Sequence, residues 1–132
     1  MAKKTDRQKI VDKLDAIVSK IVRLKELVCV ICSSNYKNGA GHIFSCGSYS
    51  TRWDITPDGN VHNQCWSCNY RHVRDQYPYF NWYIKKFGQD KFDELRRKFK
   101  TTAKYKTFEL EELFNKLKEV YDKIHANRDA RG

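Results

Sequence analysis

The sequence predicts an α+β fold: a small zinc-stapled core of short strands and one helix, flanked by N-terminal and C-terminal helices. Three observations carry this. Two Cys-x-x-Cys pairs, Cys29/Cys32 and Cys65/Cys68, bracket a loop-rich stretch. Ile10, Leu14, Ile17, Ile21, Leu24 and Val28 step alternately by four and three, the spacing of a helical heptad stripe. Leu110, Phe114, Leu117, Tyr121 and Ile124 repeat that stepping near the C-terminus. The organisation expected is an N-terminal helix and dimerisation arm over 1–28, a zinc-bound core over 29–76, and a basic, aromatic helical region over 77–132.

Residues 5–28 read as one helix. Thr5 with Gln8 three residues on fits a capping box. Val11, Val18 and Val22 widen the apolar stripe, which suits packing on the chain's own domain and pairing with a second copy equally well. Over residues 29–68 the composition changes to Gly, Ser and Asn. "NYKNGAG" is a loop by its residues, "HIFSC" and "TRWDIT" read as strands, and "TPDGN" is a turn. "VHNQC" returns as a strand, and a helix starts near Cys65–Cys68. Further on, "YPYFNWYIKKFG" is a helix stopped by Gly88, and "QDKFDELRRKFK" places Phe92, Leu95 and Phe99 on one face. Thr107 is the expected cap of the last helix, with Glu109, Glu111 and Glu112 at its positive end.

Charge points to a partner. The chain of 132 residues carries 26 Lys plus Arg against 16 Asp plus Glu, a net +10, which favours a polyanion such as nucleic acid. No run approaches the ~18 apolar residues needed to span a bilayer. "MAKKTDRQK" lacks the apolar stretch of a secretory signal, so a cytoplasmic protein is expected, in the host cell if a phage encodes it.

In that compartment paired cysteines read as metal ligands, not disulfides. Two thiolates three residues apart fit adjacent corners of a tetrahedron, and two such pairs close an all-thiolate site for one structural Zn²⁺ per chain. A redox reading would expect a single pair beside a βαβ unit, which the pattern lacks. Cys46 is left over as a free thiol.

A structural zinc site needs no histidine, yet His42 and His62 lie between the pairs and His72 follows them. Asn60 and His62 share one face of the returning strand, and Asn69 begins the helix. The expectation is that the metal draws His42, Asn60, His62 and Asn69 toward a common cleft.

This arrangement resembles the ββα-metal, or HNH, nucleases. The resemblance implies that His42 activates water, Asn60 orients it and Asn69 binds a divalent ion. "CWSCN" is similar to phage endonuclease VII. A fuller resemblance is to the lambdoid phage NinG/Rap recombination endonucleases. Here it rests on "CVIC", "GHIF", "NVHNQCWSCN", "YFNWYIKKFGQDKFDEL" and "FELEELFNKLKEVYDKI". Gly39 stands where that family commonly carries an Asp. The resemblance implies an HNH-like core and a structure-selective DNA endonuclease. It would cut branched recombination intermediates, Holliday junctions and D-loops, by metal-dependent phosphodiester hydrolysis.

The catalytic set implied is His42, Asn60, His62 and Asn69, with Mg²⁺ or Mn²⁺ held through His42, Asn69 and Asp54. Arg52, Arg71, Arg74, Lys85, Lys86, Arg96, Arg97 and Lys98 are the candidates for holding DNA phosphates. Tyr77, Tyr79, Phe80, Trp82 and Tyr83 read as core or as a base-stacking surface. A homodimer is expected, since resolving a four-way junction takes two cuts. The competing reading is a zinc-stapled nucleic-acid-binding protein without nuclease activity.

Overall fold

A computed structural model describes residues 3–130. Its first helix, α1 (Asp6–Lys25), starts at Thr5, whose hydroxyl accepts the Gln8 amide at 3.1 Å. The Gln8 side chain does not return to the cap; it donates to Asp12 instead. The chain then passes the first cysteine pair and forms β1 (Gly39–His42), a short helix α2 (Tyr49–Arg52) and β2 (Val61–Gln64). Helices α3 (Trp66–His72), α4 (Tyr77–Phe87), α5 (Gln89–Lys100) and α6 (Thr107–Ala130) follow.

β1 and β2 pair antiparallel, Gly41 opposite His62 and His42 opposite Val61. Every residue of β2 is buried, so both sheet faces are covered. On one side Ala40, Val61 and Trp53 pack with α1 and α6 around Leu14, Ile21, Leu110 and Leu117. On the other side Ile43 and Phe44 pack with Tyr79, Tyr83, Phe92 and Leu95 of α4 and α5. The Tyr79 hydroxyl donates to the Gly41 carbonyl at 2.7 Å. Gly41 tolerates no side chain, since a Cβ there would sit 2.0 Å from Gln64 Oε1. Gly88, at φ +96°, separates α4 from α5 as expected of a helix-stopping glycine.

Two of the expected strands differ. "TRWDIT" does not form one: Tyr49–Arg52 is helical, with the Ser48 carbonyl accepting the Arg52 amide. The pull is tertiary, because Asp15 of α1 takes the Arg52 guanidinium through two bonds and the Trp53 indole N–H at 2.8 Å. The first strand lies upstream of "HIFSC", because Phe44 leaves the ladder. The Asn60 side chain replaces a strand partner there, accepting the Phe44 N–H at 2.8 Å and donating to its carbonyl at 2.9 Å. At the start of α6 it is Glu109, not Thr107, that takes a free amide, that of Lys106.

The two heptad stripes meet within one chain. Ile10, Leu14, Ile17 and Ile21 of α1 are buried against Leu110 and Leu117, with Phe114, Tyr121 and Ile124 packed alongside. The α1 seam expected to serve dimerisation is thereby covered by α6. A homodimer would use another surface. Leu14→Ala is expected to cost about 2–5 kcal/mol, as for a leucine with no exposed surface. Leu27→Ala, at 61% exposure, should stay within about 0.5 kcal/mol. Denaturant melts of both variants test this, and the wild-type midpoint should not move with protein concentration.

Candidate metal centre

The four cysteines converge from three places in the chain. Cys29 and Cys32 lie on the turn after α1, Cys65 caps α3, and Cys68 lies in its first turn. Their Sγ atoms all lie within 4.8 Å of one another, and Cys32 and Cys65 approach to 3.6 Å. Sulfurs at the corners of a Zn–S tetrahedron stand about 3.8 Å apart, so the cluster has the size of a single ion's shell. Local geometry supports thiolate ligands. The Ile31 N–H points at Cys29 Sγ at 3.4 Å, and the Cys68 N–H at Cys65 Sγ at 3.5 Å. Ser33, just past the first pair, holds φ +65° and returns its N–H to the Cys29 carbonyl, closing the knuckle.

Burial, then the neighbouring thiols of Cys32 and Cys65, push the Cys68 thiol far above its ordinary value. At Cys65 burial opposes ionisation. The Cys68 amide and the surrounding thiols outweigh it and hold that thiol lower. Four crowded sulfurs need a cation to ionise together, and a Zn²⁺ ion bound by them would supply it. Cys46 stands apart, exposed and free.

The histidines do not gather in one cleft. Alternation along paired strands sends His42 and His62 to opposite faces of the sheet. His42 lies on the α1 side, its Nε2 2.8 Å from the Arg52 carbonyl. Asn60 is fully buried and donates to the adjacent carbonyl, that of Thr51. His42 and Asn60 thus hold successive carbonyls at the end of α2. His62 has both ring nitrogens engaged, Nε2 with the Gly59 carbonyl at 2.8 Å and Nδ1 with Glu26 at 3.1 Å. Trp82, Tyr79 and Phe87 enclose its ring. His72 donates from Nε2 to the Ile43 carbonyl at 2.8 Å and leaves Nδ1 buried without a partner. Asn69 is exposed on α3 and shares no hydrogen bond with His42, Asn60 or His62.

Among these groups His42 has a distinct chemistry. A carbonyl only accepts, so Nε2 carries the proton and Nδ1 keeps the lone pair. Nδ1 has no hydrogen-bond partner among the described residues. Burial, partly offset by the Arg52 carbonyl, lowers the His42 pKa below its ordinary 6.5 and keeps the ring neutral.

Asp54 does not turn toward His42. Its Oδ1 accepts from the Thr56 amide and hydroxyl, and its Oδ2 pairs with Lys98 at 3.3 Å. Among the described residues the four cysteines are the only group of three or more His, Cys, Asp or Glu placed to hold an ion. The single amide oxygen of Asn69 does not make a cage for a hard divalent ion, which prefers several oxygens including carboxylates.

The basic candidates divide. Arg52 is engaged with Asp15 and the Cys46 carbonyl, which makes it part of the scaffold. Lys98 is paired with Asp54. Arg71, Arg74, Lys85, Lys86, Arg96 and Arg97 are exposed. Of the aromatic cluster, Tyr79 and Tyr83 are buried core, their hydroxyls on the Gly41 and Asp58 carbonyls. Sequence reasoning missed Glu26 and Asp15. Glu26 ties the end of α1 to β2 through His62 and the Asn63 amide. An acid beside an apolar helical stripe is the signal that marks Asp15.

Purified protein should carry about one zinc per chain by metal analysis. Chelation or Cys68→Ser should abolish the cooperative melt, because metal binding and folding are one event for a closed thiolate site. A second expectation concerns pH. With the folded-state pKa of His42 depressed, the unfolded chain binds more protons in the window just below 6.5, so stability falls as pH drops through it. His42→Gln removes that contribution. The stability gap between wild type and variant should narrow from pH 7 toward about pH 5, measured by denaturant melts of zinc-loaded protein.

No helix of the described residues is long and apolar enough to cross a membrane. No curated protein and no solved structure matches the chain. A family model does, over residues 1–127, and its description is Bacteriophage Lambda NinG protein. Spanning nearly the whole sequence, that match places the chain in the NinG family of bacteriophage proteins.

Proposed function

We propose that this protein is a DNA endonuclease of phage recombination that cuts branched intermediates such as Holliday junctions and D-loops. The observation that carries the reading is His42: a neutral imidazole whose Nε2–H is fixed on a carbonyl and whose Nδ1 lone pair has no hydrogen-bond partner among the described residues. Phosphodiester hydrolysis needs a base to take a proton from the attacking water as the P–O bond to the leaving group breaks. Asn60 supports that base from behind, since it holds Thr51 and Phe44 while Arg52 holds His42. The strand–strand–helix order of β1, β2 and α3 around a four-cysteine cluster is the order expected of an HNH-like core. The exposed cations of α4 and α5, Lys85, Arg96 and Arg97 among them, suit phosphate contacts.

The second reading is a zinc-stapled nucleic-acid-binding protein that does not cut. It draws on a specific observation: Asp54 is engaged in its own turn, and no carboxylate joins Asn69. A Mg²⁺ or Mn²⁺ requirement therefore belongs to the endonuclease reading alone. Symmetric resolution of a junction requires two chains, which would meet on a surface other than the α1 stripe or on the DNA itself.

Incubating a four-way junction and a D-loop with Mg²⁺ or Mn²⁺ separates the two. Wild type is expected to cleave, and His42→Ala to cleave at least about a hundredfold more slowly while binding DNA within about twofold. His42→Gln, which keeps a donor for the Arg52 carbonyl, controls for loss of the staple. Cleavage at the wild-type rate by both variants removes His42 from the chemistry. Tight junction binding without cleavage in either ion favours the second reading.

A further inference from the structure

Helix α3 is inverted. None of its residues is buried, and its large apolar side chains face water. Trp66 is 57% exposed, Tyr70 52% and Val73 84%, and their steps of four and three put them on one helical face. An amphipathic helix normally turns that stripe inward. Here the four cysteines and the His72–Ile43 bond hold the helix in place, leaving the stripe free.

The two rings are organised. Trp66 and Tyr70 lie nearly parallel, 12° apart with centroids at 5.4 Å. The Arg74 guanidinium also lies against Tyr70, 5.2 Å from its centroid, and donates from Nη2 to its hydroxyl at 3.1 Å. Arg74, Tyr70 and the exposed Trp66 thus form one cluster on this face. The backbone of Tyr36, itself 61% exposed, bonds the Trp66 amide, and Lys37 stands over the Tyr36 ring.

The charge around the stack selects the occupant. From Leu27 to Arg74 the only acids are Asp54 and Asp58, and both face α5 lysines, Asp54 with Lys98 and Asp58 with Lys91. Arg71, Arg74 and Lys37 are exposed beside the rings. Asp75, the next residue, is the one acid near the rings, and its Oδ1 takes the Tyr77 amide. A flat aromatic column flanked by three cations against that single engaged carboxylate suits the bases of a polyanion. The ring faces can take bases only where these are unpaired, since paired bases hide their faces in the duplex stack.

We infer that Trp66 and Tyr70 form a stacking platform for unpaired bases of single-stranded DNA, with Arg71, Arg74 and Lys37 on the neighbouring phosphates. This rests on the DNA-binding reading above and adds to it the element that distinguishes an open strand from a closed duplex. At a D-loop or an opened junction the displaced strand would lie across α3.

The test uses the full-length, zinc-loaded chain with a labelled oligothymidylate and a fully paired duplex of equal length. Trp66→Ala is expected to weaken oligothymidylate binding about tenfold or more and duplex binding by less than about twofold. The salt dependence should be unchanged, because no phosphate contact is removed. Trp66→Phe should recover most of the affinity. Wild-type tryptophan fluorescence should be quenched by oligothymidylate, and this quenching should be lost in Trp66→Phe, since Trp53 is buried and Trp82 half-buried. Equal zinc content in all variants shows that the fold is kept.

Unchanged single-strand affinity in Trp66→Ala, or equal losses on both DNAs, overturns the platform while leaving DNA binding standing. Absence of wild-type binding to either DNA overturns both. A light-scattering mass that falls in Trp66→Ala, with DNA affinity unaffected, makes the face a contact between copies and overturns the platform.

Discussion

The gathering of four cysteines is the constraint on which the middle of this protein depends. Two four-residue strands cannot hold themselves together in water, and α3 contributes no apolar face to any core. One cluster closes the long loop between Cys29/Cys32 and Cys65/Cys68, joins the end of α1 to the start of α3, and fixes the end of β2. With those ends pinned, the hairpin can be covered on one side by α1 and on the other by α4.

A second layer of order comes from side chains that bind backbone. Asn60 grips Phe44 and Thr51, His42 grips Arg52, His72 grips Ile43, and Glu26 grips Asn63. Each bond gives a partner to a backbone group at a strand or helix end, and each is made by a buried or half-buried group whose polar atoms need one. The stretch between β1 and β2 is thus held both by these polar contacts and by Ile43, Phe44 and Trp53 in the two clusters. Together they give a segment with little regular structure a defined path.

The sequence made parts of this legible for physical reasons. Helix α1 could be read because Ile10, Leu14, Ile17, Ile21 and Leu24 keep one period along it, although the helix stops at Lys25 and leaves Val28 outside, and the cysteine cluster because tetrahedral thiolate geometry demands the paired spacing. The strand at 51–56 was misread because its fate lies with Asp15, far away in the chain, which draws Arg52 and Trp53 onto α1. The common cleft was misplaced because strand alternation acts on register, and the sequence does not display register: pairing Gly41 with His62 separates His42 from His62 by a sheet. Histidine identity was also an ambiguous signal. His42, His62 and His72 each hold a backbone carbonyl, on Arg52, Gly59 and Ile43, and so serve the fold before any shared site.

The packing of α1 on α6 has a consequence for synthesis. Translation releases α1 well before its cover, so the stripe from Ile10 to Ile21 leaves the ribosome while α6 is still unmade. Until α6 appears, that surface is open to other nascent chains and to holding factors, and its burial closes the largest loop in the molecule. All four cysteines are already synthesised in that interval. The α1 stripe is covered only when the turns of α6 from Leu110 to Ile124 reach it.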